Sequence, residues 1–417
     1  IEKGLREGKI LAVVSTNALE LGIDIGRLEA AIISGYPGSI ASLRQQAGRA
    51  GRKQQSSMAI LVLTGNPIDQ YIALNPKYIL ETTPESGLIN PDNLYVMVSH
   101  LKCAAFELPF LDGEMFGNAE ISKVLGFLEK NEILNHADGK WFWMADSYPA
   151  DEVYLRNATE GNVTIIDTTN SPNVRTVGEV DLFGAHMLVH EQAIYIHDGQ
   201  TYHVDKFDPK ERKAFIRRMN LDYYTDANLE VSIVVLDESN KIHEGLVQVG
   251  YGEVSVTAIT TIFKKIKFDT HENLGYGEVH LDEQPMDTMA WWLIIPTEIS
   301  SQFSKNEMGN ALHGLGNLLI GILPLPLMCD RRDIGIHIQV KSPHFDQPTI
   351  FIYETNAGGV GLVECIFDMG NQVFVLAKEA LEGCVCEDGC PSCVGPPGGI
   401  EAGSKTQTKI LINLMIP

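Results

Sequence analysis

The 417-residue chain is short of basic side chains: 32 Lys and Arg stand against 54 Asp and Glu, a formal charge of −22. Phosphate neutralisation needs cations, so this balance excludes a protein that binds nucleic acid over its whole surface. Local fields still matter more than the total. Residues 1–80 hold nine basic and six acidic side chains, a surplus of +3, which leaves −25 for the remainder. No apolar run reaches the ~18 residues that cross a bilayer, so a membrane helix is not expected. A signal peptide is not expected at this N-terminus either. The chain opens on Ile1-Glu2-Lys3-Gly4-Leu5-Arg6-Glu7, charged and without a start methionine, and reads as the interior of a longer protein. Internal repeats and low-complexity tracts are absent. A composition of 44% hydrophobic and 21% charged residues suits a folded chain, and the length suggests roughly two to four domains. Cysteine is scarce, seven in all, yet four crowd into ten residues near the C-terminus. An odd count with that clustering favours metal binding in a reducing compartment over a disulfide framework.

Read along its length, the chain first alternates short apolar runs with helical patterns. Ile10–Val14, Ala30–Ile33 and Ala59–Leu63 read as buried parallel strands. Ala18–Leu21 and Ser39–Ala50 read as helices, the second with Ser39 as N-cap. Such βαβ spacing implies part of an α/β sheet within residues 1–80. Thr82–Pro91, rich in Pro, Gly and Asn, reads as a linker. Two helical stretches follow, Leu94–Glu107 and Asn118–Glu132, then apolar arms flanking Asp138-Gly139, a hairpin signal. Helix, helix and hairpin over 88–146 resemble a winged helix. Residues 152–298 turn β-branched and strand-like. Within them, Asp205–Arg218 holds six basic and three acidic residues, and Lys264-Lys265-Ile266-Lys267 is a second basic run. Solvated strand edges explain each better than a DNA patch. Over 299–417 helices return around Met308–Leu319 and Val373–Leu381, with a strand at Ile350–Tyr353.

Chemistry concentrates in two places. Ser15-Thr16-Asn17-Ala18-Leu19-Glu20-Leu21-Gly22-Ile23-Asp24 follows the first strand, where α/β sheets bind ligands. Gln45-Gln46-Ala47-Gly48-Arg49-Ala50-Gly51-Arg52 then sets two guanidiniums three residues apart on one expected helical face. Fixed cations of this kind suit the charge that develops on a transferred phosphoryl group. These stretches resemble motifs V and VI (Q-x-x-G-R-x-G-R) of superfamily 2 helicases. The resemblance implies that Arg49 and Arg52 are catalytic arginine fingers. It places Gly22, Asp24 and Gln45 at the nucleotide beside them, and Ser15 and Thr16 on the nucleic-acid backbone. The chain contains neither G-x-x-x-x-G-K-[ST] nor D-E-x-[DH], so it lacks the loop that cradles phosphates and the carboxylates that hold Mg²⁺. ATP with Mg²⁺ therefore requires an upstream lobe, and the fragment alone is expected to be inactive.

The second place is Cys384-Val385-Cys386-Glu387-Asp388-Gly389-Cys390-Pro391-Ser392-Cys393. Four thiolates at this spacing can close a tetrahedral shell around structural zinc; an iron–sulfur cluster is the second choice. Cys103, Cys329 and Cys365 are expected to be inert buried thiols. A glycine cluster, Gly358-Gly359-Val360-Gly361, reads as a packing turn rather than a phosphate cradle, and Asp330 and Asp333 as members of an ion-pair network with Arg331 and Arg332.

The segments Asn90–Pro109, Leu325–Gly335, Phe351–Gly361 and the cysteines together resemble the bacterial mitomycin-repair helicases (the MrfA/YprA family) and their fungal relatives. That resemblance covers both ends and residues 90–110. It implies the C-terminal portion of a 3′–5′ DNA helicase or translocase acting in repair. The fold class would be a partial α/β RecA-like lobe (1–80), a winged helix (88–146), a β-rich domain (152–298) and an α+β zinc-binding domain (299–417). Single-stranded or forked DNA would be the partner, with a repair nuclease as a second, in a bacterial cytoplasm at the nucleoid and with no membrane. An RNA helicase, a translocase that does not unwind, and a zinc-stabilised scaffold with a degenerate lobe are the competing readings.

Overall fold

The computed structural model describes residues 1–20, 28–51, 56–85, 87–117, 119–153, 162–395 and 404–416. Near the N-terminus, β1 (Ala30–Ser34) and β2 (Met58–Val62) pair in parallel, with Ile32 opposite Ile60. Between them lies α1 (Ile40–Ala47), which starts where expected because the Ser39 side chain accepts from the Ser42 N–H at 3.0 Å. The expected strand at Ile10–Val14 does not form: the segment is irregular, with Leu11 89% and Val14 102% exposed. An interior parallel strand needs a neighbour on each side and cover on both faces, and no described strand lies beside it. The helix expected at Ala18–Leu21 is a short 3₁₀ turn, Asn17–Leu19.

This lobe is seated on the rest of the protein. In α2 (Pro67–Leu74), Pro67 fills the space beside Gly321, where a Cβ would stand 2.9 Å from its ring. The Tyr78 hydroxyl donates to the Leu325 carbonyl at 3.3 Å. Asp69, buried, ties the strand ends together by accepting from the N–H groups of Tyr36 and Thr64 at 2.9 and 2.6 Å.

The described residues of the linker Thr82–Pro91 form no regular element. Then α3 (Leu94–Glu107) buries Met97, Leu101 and Ala105 against Leu125 and Leu128 of α4 (Ser122–Lys130). Strands β3 (Leu134–Ala137) and β4 (Lys140–Trp143) form the expected hairpin. Asp138 and Gly139 both take positive φ, 53° and 74°, as a type I′ turn requires. The winged-helix arrangement stands.

The β-rich region holds two sheets. The first, in the order β7-β8-β9-β5-β6, comprises β5 (Asn162–Asp167), β6 (Arg175–Asp181), β7 (Ile194–His197), β8 (Gln200–Asp208) and β9 (Lys213–Arg218). Its core of Val163, Ile165, Val204 and Ile216 is closed by α5 (Leu182–Leu188). The basic stretch 205–218 forms the β8–β9 hairpin, and three of its six basic side chains pair with its three acidic ones. Arg217 pairs with Asp205 at 3.0 Å, Lys206 with Asp208 at 3.0 Å and Lys213 with Glu211 at 3.5 Å.

The second sheet runs β10 (Tyr223–Glu244), β11 (Val247–Lys267), β13 (Gln284–Ile294), β15 (Thr349–Glu354) and β14 (Ile334–Gln339), with β12 (Asn273–Glu278) paired to β11. Strands from both sides of residue 298 thus share one sheet. Successive residues point to opposite faces: Trp291 joins the main core, while Trp292 packs with Ile233, Val254 and Phe351 in a smaller one behind. Over the main core lie α6 (Lys305–Ile322), α7 (Leu362–Met369), α8 (Gln372–Gly383) and α9 (Lys405–Met415). A Ser304–Glu307 capping box starts α6. Glycine at 314 lets α9 approach, since a Cβ there would lie 2.0 Å from the Thr408 hydroxyl. Residues Lys305–Leu327 are long and apolar enough to span a bilayer, contrary to the sequence expectation, but 78% of that window is buried as the central helix of this core.

Candidate metal centre and nucleotide face

The four clustered cysteines converge. Cys384 lies 3.5 Å from both Cys386 and Cys390, sulfur to sulfur; Cys386 lies 3.5 Å and Cys390 3.7 Å from Cys393. All four sulfurs lie within 4.8 Å of one another. A tetrahedron with ~2.3 Å metal–sulfur bonds has edges of about 3.8 Å, so the donor set fits one zinc ion. A cluster would spread the sulfurs over separate irons. Burial raises the Cys390 thiol, but hydrogen bonds from Cys384 and the Ser392 N–H outweigh it and bring the group down to about 7. The knuckle is anchored to α6 by Asn317, whose amide donates to the Val394 carbonyl at 2.9 Å. From the turn between the last two cysteines, the Ser392 hydroxyl donates to the Gly65 carbonyl of the N-terminal lobe.

Lys405, at the start of α9, was not legible as part of this site. Its ammonium donates to the carbonyls of Cys384 and Cys386 at 2.6 and 2.5 Å and stands 3.7 Å from the Cys386 sulfur. Of the remaining cysteines, Cys365 is exposed rather than buried, whereas burial pushes the half-buried Cys329 thiol up to about 12.

The nucleotide-motif residues divide. Helix α1 ends at Ala47, so Arg49 sits in the turn beyond it rather than on a continuing helical face. Its guanidinium donates to the Glu20 carbonyl. The Glu20 carboxylate in turn accepts from the Ser42 hydroxyl at 2.8 Å and the Gln46 amide at 3.0 Å. Glu20 thereby joins the Ser15–Glu20 segment to the Gln45–Arg49 segment, a role that a mid-motif glutamate does not advertise. Gln45, Ser15 and Thr16 are exposed. Thr16 flanks the 3₁₀ turn without a side-chain cap bond. Gly22, Asp24 and Arg52 lie outside the described residues.

The glycine cluster is a packing turn. Glu354, fully buried, accepts from the N–H groups of Val360, Gly361 and Val363, the last two at 3.3 and 3.1 Å. These donors at the start of α7 could have met a phosphate, but an internal carboxylate occupies them. The expected network of Asp330 and Asp333 with Arg331 and Arg332 forms only in part, through the pair of Asp330 with Arg332. Arg332 reaches both oxygens of Asp330 at 3.1 and 2.8 Å, and the Asp330 N–H donates to Asp333 at 2.9 Å.

Three family models match separate stretches: the helicase conserved C-terminal domain over residues 1–54, the winged helix domain of the ATP-dependent helicase HRQ1 over 89–158, and the MrfA Zn-binding domain over 315–394. The uncharacterized ATP-dependent helicase YprA of Bacillus subtilis is 46% identical over 99% of this chain and 54% of its own length. The ATP-dependent helicase HRQ1 of Saccharomyces cerevisiae is 28% identical over 94% of this chain and 38% of its own. A crystal structure of the DUF1998 helicase MrfA bound to DNA superposes with a TM-score of 0.65 at 44% identity, covering 99% of this chain and 55% of that one. The chain spans about half the length, or less, of these relatives. In sequence and fold the chain is similar to the MrfA and YprA helicases over about half of their length.

Proposed function

We propose that the chain is the C-terminal part of an ATP-driven 3′–5′ DNA helicase or translocase that acts in DNA repair. The observation that carries this reading is the bridge at Glu20, which joins the segment assigned to DNA with the segment assigned to nucleotide. Arg49 and Arg52 would stabilise charge on the transferred phosphoryl group, with Gly22, Asp24 and Gln45 beside the nucleotide. Ser15 and Thr16 would meet the DNA backbone, so that closure around ATP moves the strand. The face of β1 and β2 supports a missing companion, because Ile32, Met58, Ile60 and Val62 stand exposed along it. Cys384, Cys386, Cys390 and Cys393 would hold a structural zinc ion.

Turnover is the test. The chain alone should not hydrolyse ATP, and joining it to an upstream lobe with the phosphate loop should restore hydrolysis. Arg49→Ala with Arg52→Ala in the joined protein should abolish turnover while the fold and zinc content persist. Unchanged hydrolysis would point to a scaffold and sink the motor reading. Forked DNA and RNA substrates with 3′ or 5′ tails then decide the nucleic acid and the polarity.

A further inference from the structure

We propose that Lys405 is a positioning residue of the zinc centre, holding the Cys384–Cys386 arm of the knuckle in its ligating form and offsetting the charge of its thiolates. The family model for the zinc-binding domain ends its match at residue 394, so this role falls outside it. An ammonium has three donors. Here two are spent on the Cys384 and Cys386 carbonyls, at 2.6 and 2.5 Å, and the third direction faces the Cys386 sulfur at 3.7 Å. The two carbonyls flank Val385, which is fully exposed and gives that arm no apolar anchor. The grip on the arm therefore comes from the ammonium.

Charge points the same way. Four thiolates around a divalent ion carry a net −2, and a lysine ammonium is the cation placed against them. The stem is fixed at its base. The Lys405 N–H donates to the Asp388 carbonyl at 3.3 Å, and the Ser404 N–H donates to the Asn310 carbonyl of α6 at 3.4 Å. Helix α9 is then held by the burial of Leu411, Ile412 and Met415. The ammonium is thus delivered by a rigid element rather than by a loop. Partners of this kind around metal ligands typically change metal affinity 10–100-fold when removed.

The test uses the zinc-loaded 417-residue chain and competition for zinc with a chromophoric chelator. Lys405→Met, which keeps the stem and removes the donors and charge, is expected to weaken zinc binding on the order of 10–100-fold. Lys405→Arg is expected to recover part of it. Lys409→Met removes an exposed lysine one turn further along α9, and is expected to leave zinc affinity within about twofold of the parent. Parity of Lys405→Met with the parent overturns the proposal, as does an equal loss in Lys409→Met, which would assign the effect to the charge of the helix rather than to the contacts of Lys405. If Lys405→Met is recovered only unfolded, Lys405→Gln against Lys405→Arg makes the same comparison, and equal affinities there overturn it as well.

Discussion

The Glu85 carboxylate lies at the N-terminus of α1, where it accepts from the Ala41 N–H at 3.0 Å and also from the Ile40 N–H. Two of the four N–H groups that a helix leaves unpaired at its start are thus satisfied from the linker, by a group whose charge also suits the helix dipole. Arg44 returns the contact by donating to the Thr82 carbonyl at 2.7 Å. Linker and helix form one unit, and the far end of that helix leads into Arg49. Glu85→Ala should destabilise α1 by about 1–2 kcal/mol, measurable as faster amide exchange at residues 40–43. Glu85→Gln should lose less. In a protein complete with its upstream lobe, the same Ala variant should lower kcat more than it raises KM for ATP; the opposite split would separate the helix from catalysis.

Asn93 joins the winged helix to the zinc-binding region. Its side-chain oxygen caps α3 by accepting from the N–H groups of Tyr95 and Val96 at 3.0 and 3.2 Å. Its amide nitrogen donates to the Ala357 and Gly359 carbonyls at 2.8 and 3.1 Å. Asn93→Ala removes a cap and strands two carbonyls, which should cost about 2–4 kcal/mol in urea unfolding. Asn93→Asp keeps the cap but turns a donor into an anion facing both carbonyls. It should therefore be no more stable than the Ala variant. Recovery to parental stability in Asn93→Asp would show that the cap alone matters.

Asn93 also marks where sequence reading stops. Helix α3 was legible to the residue because its helical patterning and the Pro109 that closes it are local signals. The hairpin at Asp138-Gly139 and the cysteine knuckle were legible for the same reason, since each needs only neighbours in the chain. The strand at Ile10–Val14 failed because a parallel strand depends on partners elsewhere. Contacts between distant segments were silent: Asn93 meets Gly359 across 266 positions, Glu85 meets Ile40 across 45, and Lys405 reaches Cys386 across 19. None of these residues carries a type or spacing that names its partner.

His186 and His190 give the five-stranded sheet a dependence on pH. Both are buried, and desolvation lowers both below the usual value of 6.5; Asp282 partly offsets this at His186, and the Glu191 carbonyl does so at His190. Depressed values mean that the unfolded chain binds more protons once pH falls below about 6.5. Stability is therefore full above that pH and declines with acidification, by up to about 1.4 kcal/mol per pH unit for each histidine. Urea-dependent amide exchange in β8 and β9, corrected for the intrinsic rate, should show this decline between pH 7.5 and 5.5. Replacing both histidines with Gln should flatten it, and an undiminished slope in that variant would assign the effect to other groups.

Removal of zinc should act on a different core. Deprotonated thiolates without a cation would repel one another, so the knuckle should open on chelation and take protons. Three attachments end with it: Asn317 to Val394, Lys405 to the Cys384 and Cys386 carbonyls, and Ser392 to Gly65. Chelation should therefore raise amide exchange at residues 384–394 and 404–416, and to a lesser degree around Gly65. The β8–β9 hairpin belongs to a separate core and should keep its protection. Zinc metal binding contributes on the order of 10 kcal/mol in isolated zinc-finger peptides. The large core over the second sheet should blunt that figure here, giving partial unfolding rather than global collapse. Added Zn²⁺, but not Mg²⁺, should reverse the change, because a shell of four sulfurs selects a soft cation over a hard one. Protection that survives chelation at residues 384–394 would mean that the turns of Gly389 and Pro391 and the Asn317 anchor fix the knuckle without a metal.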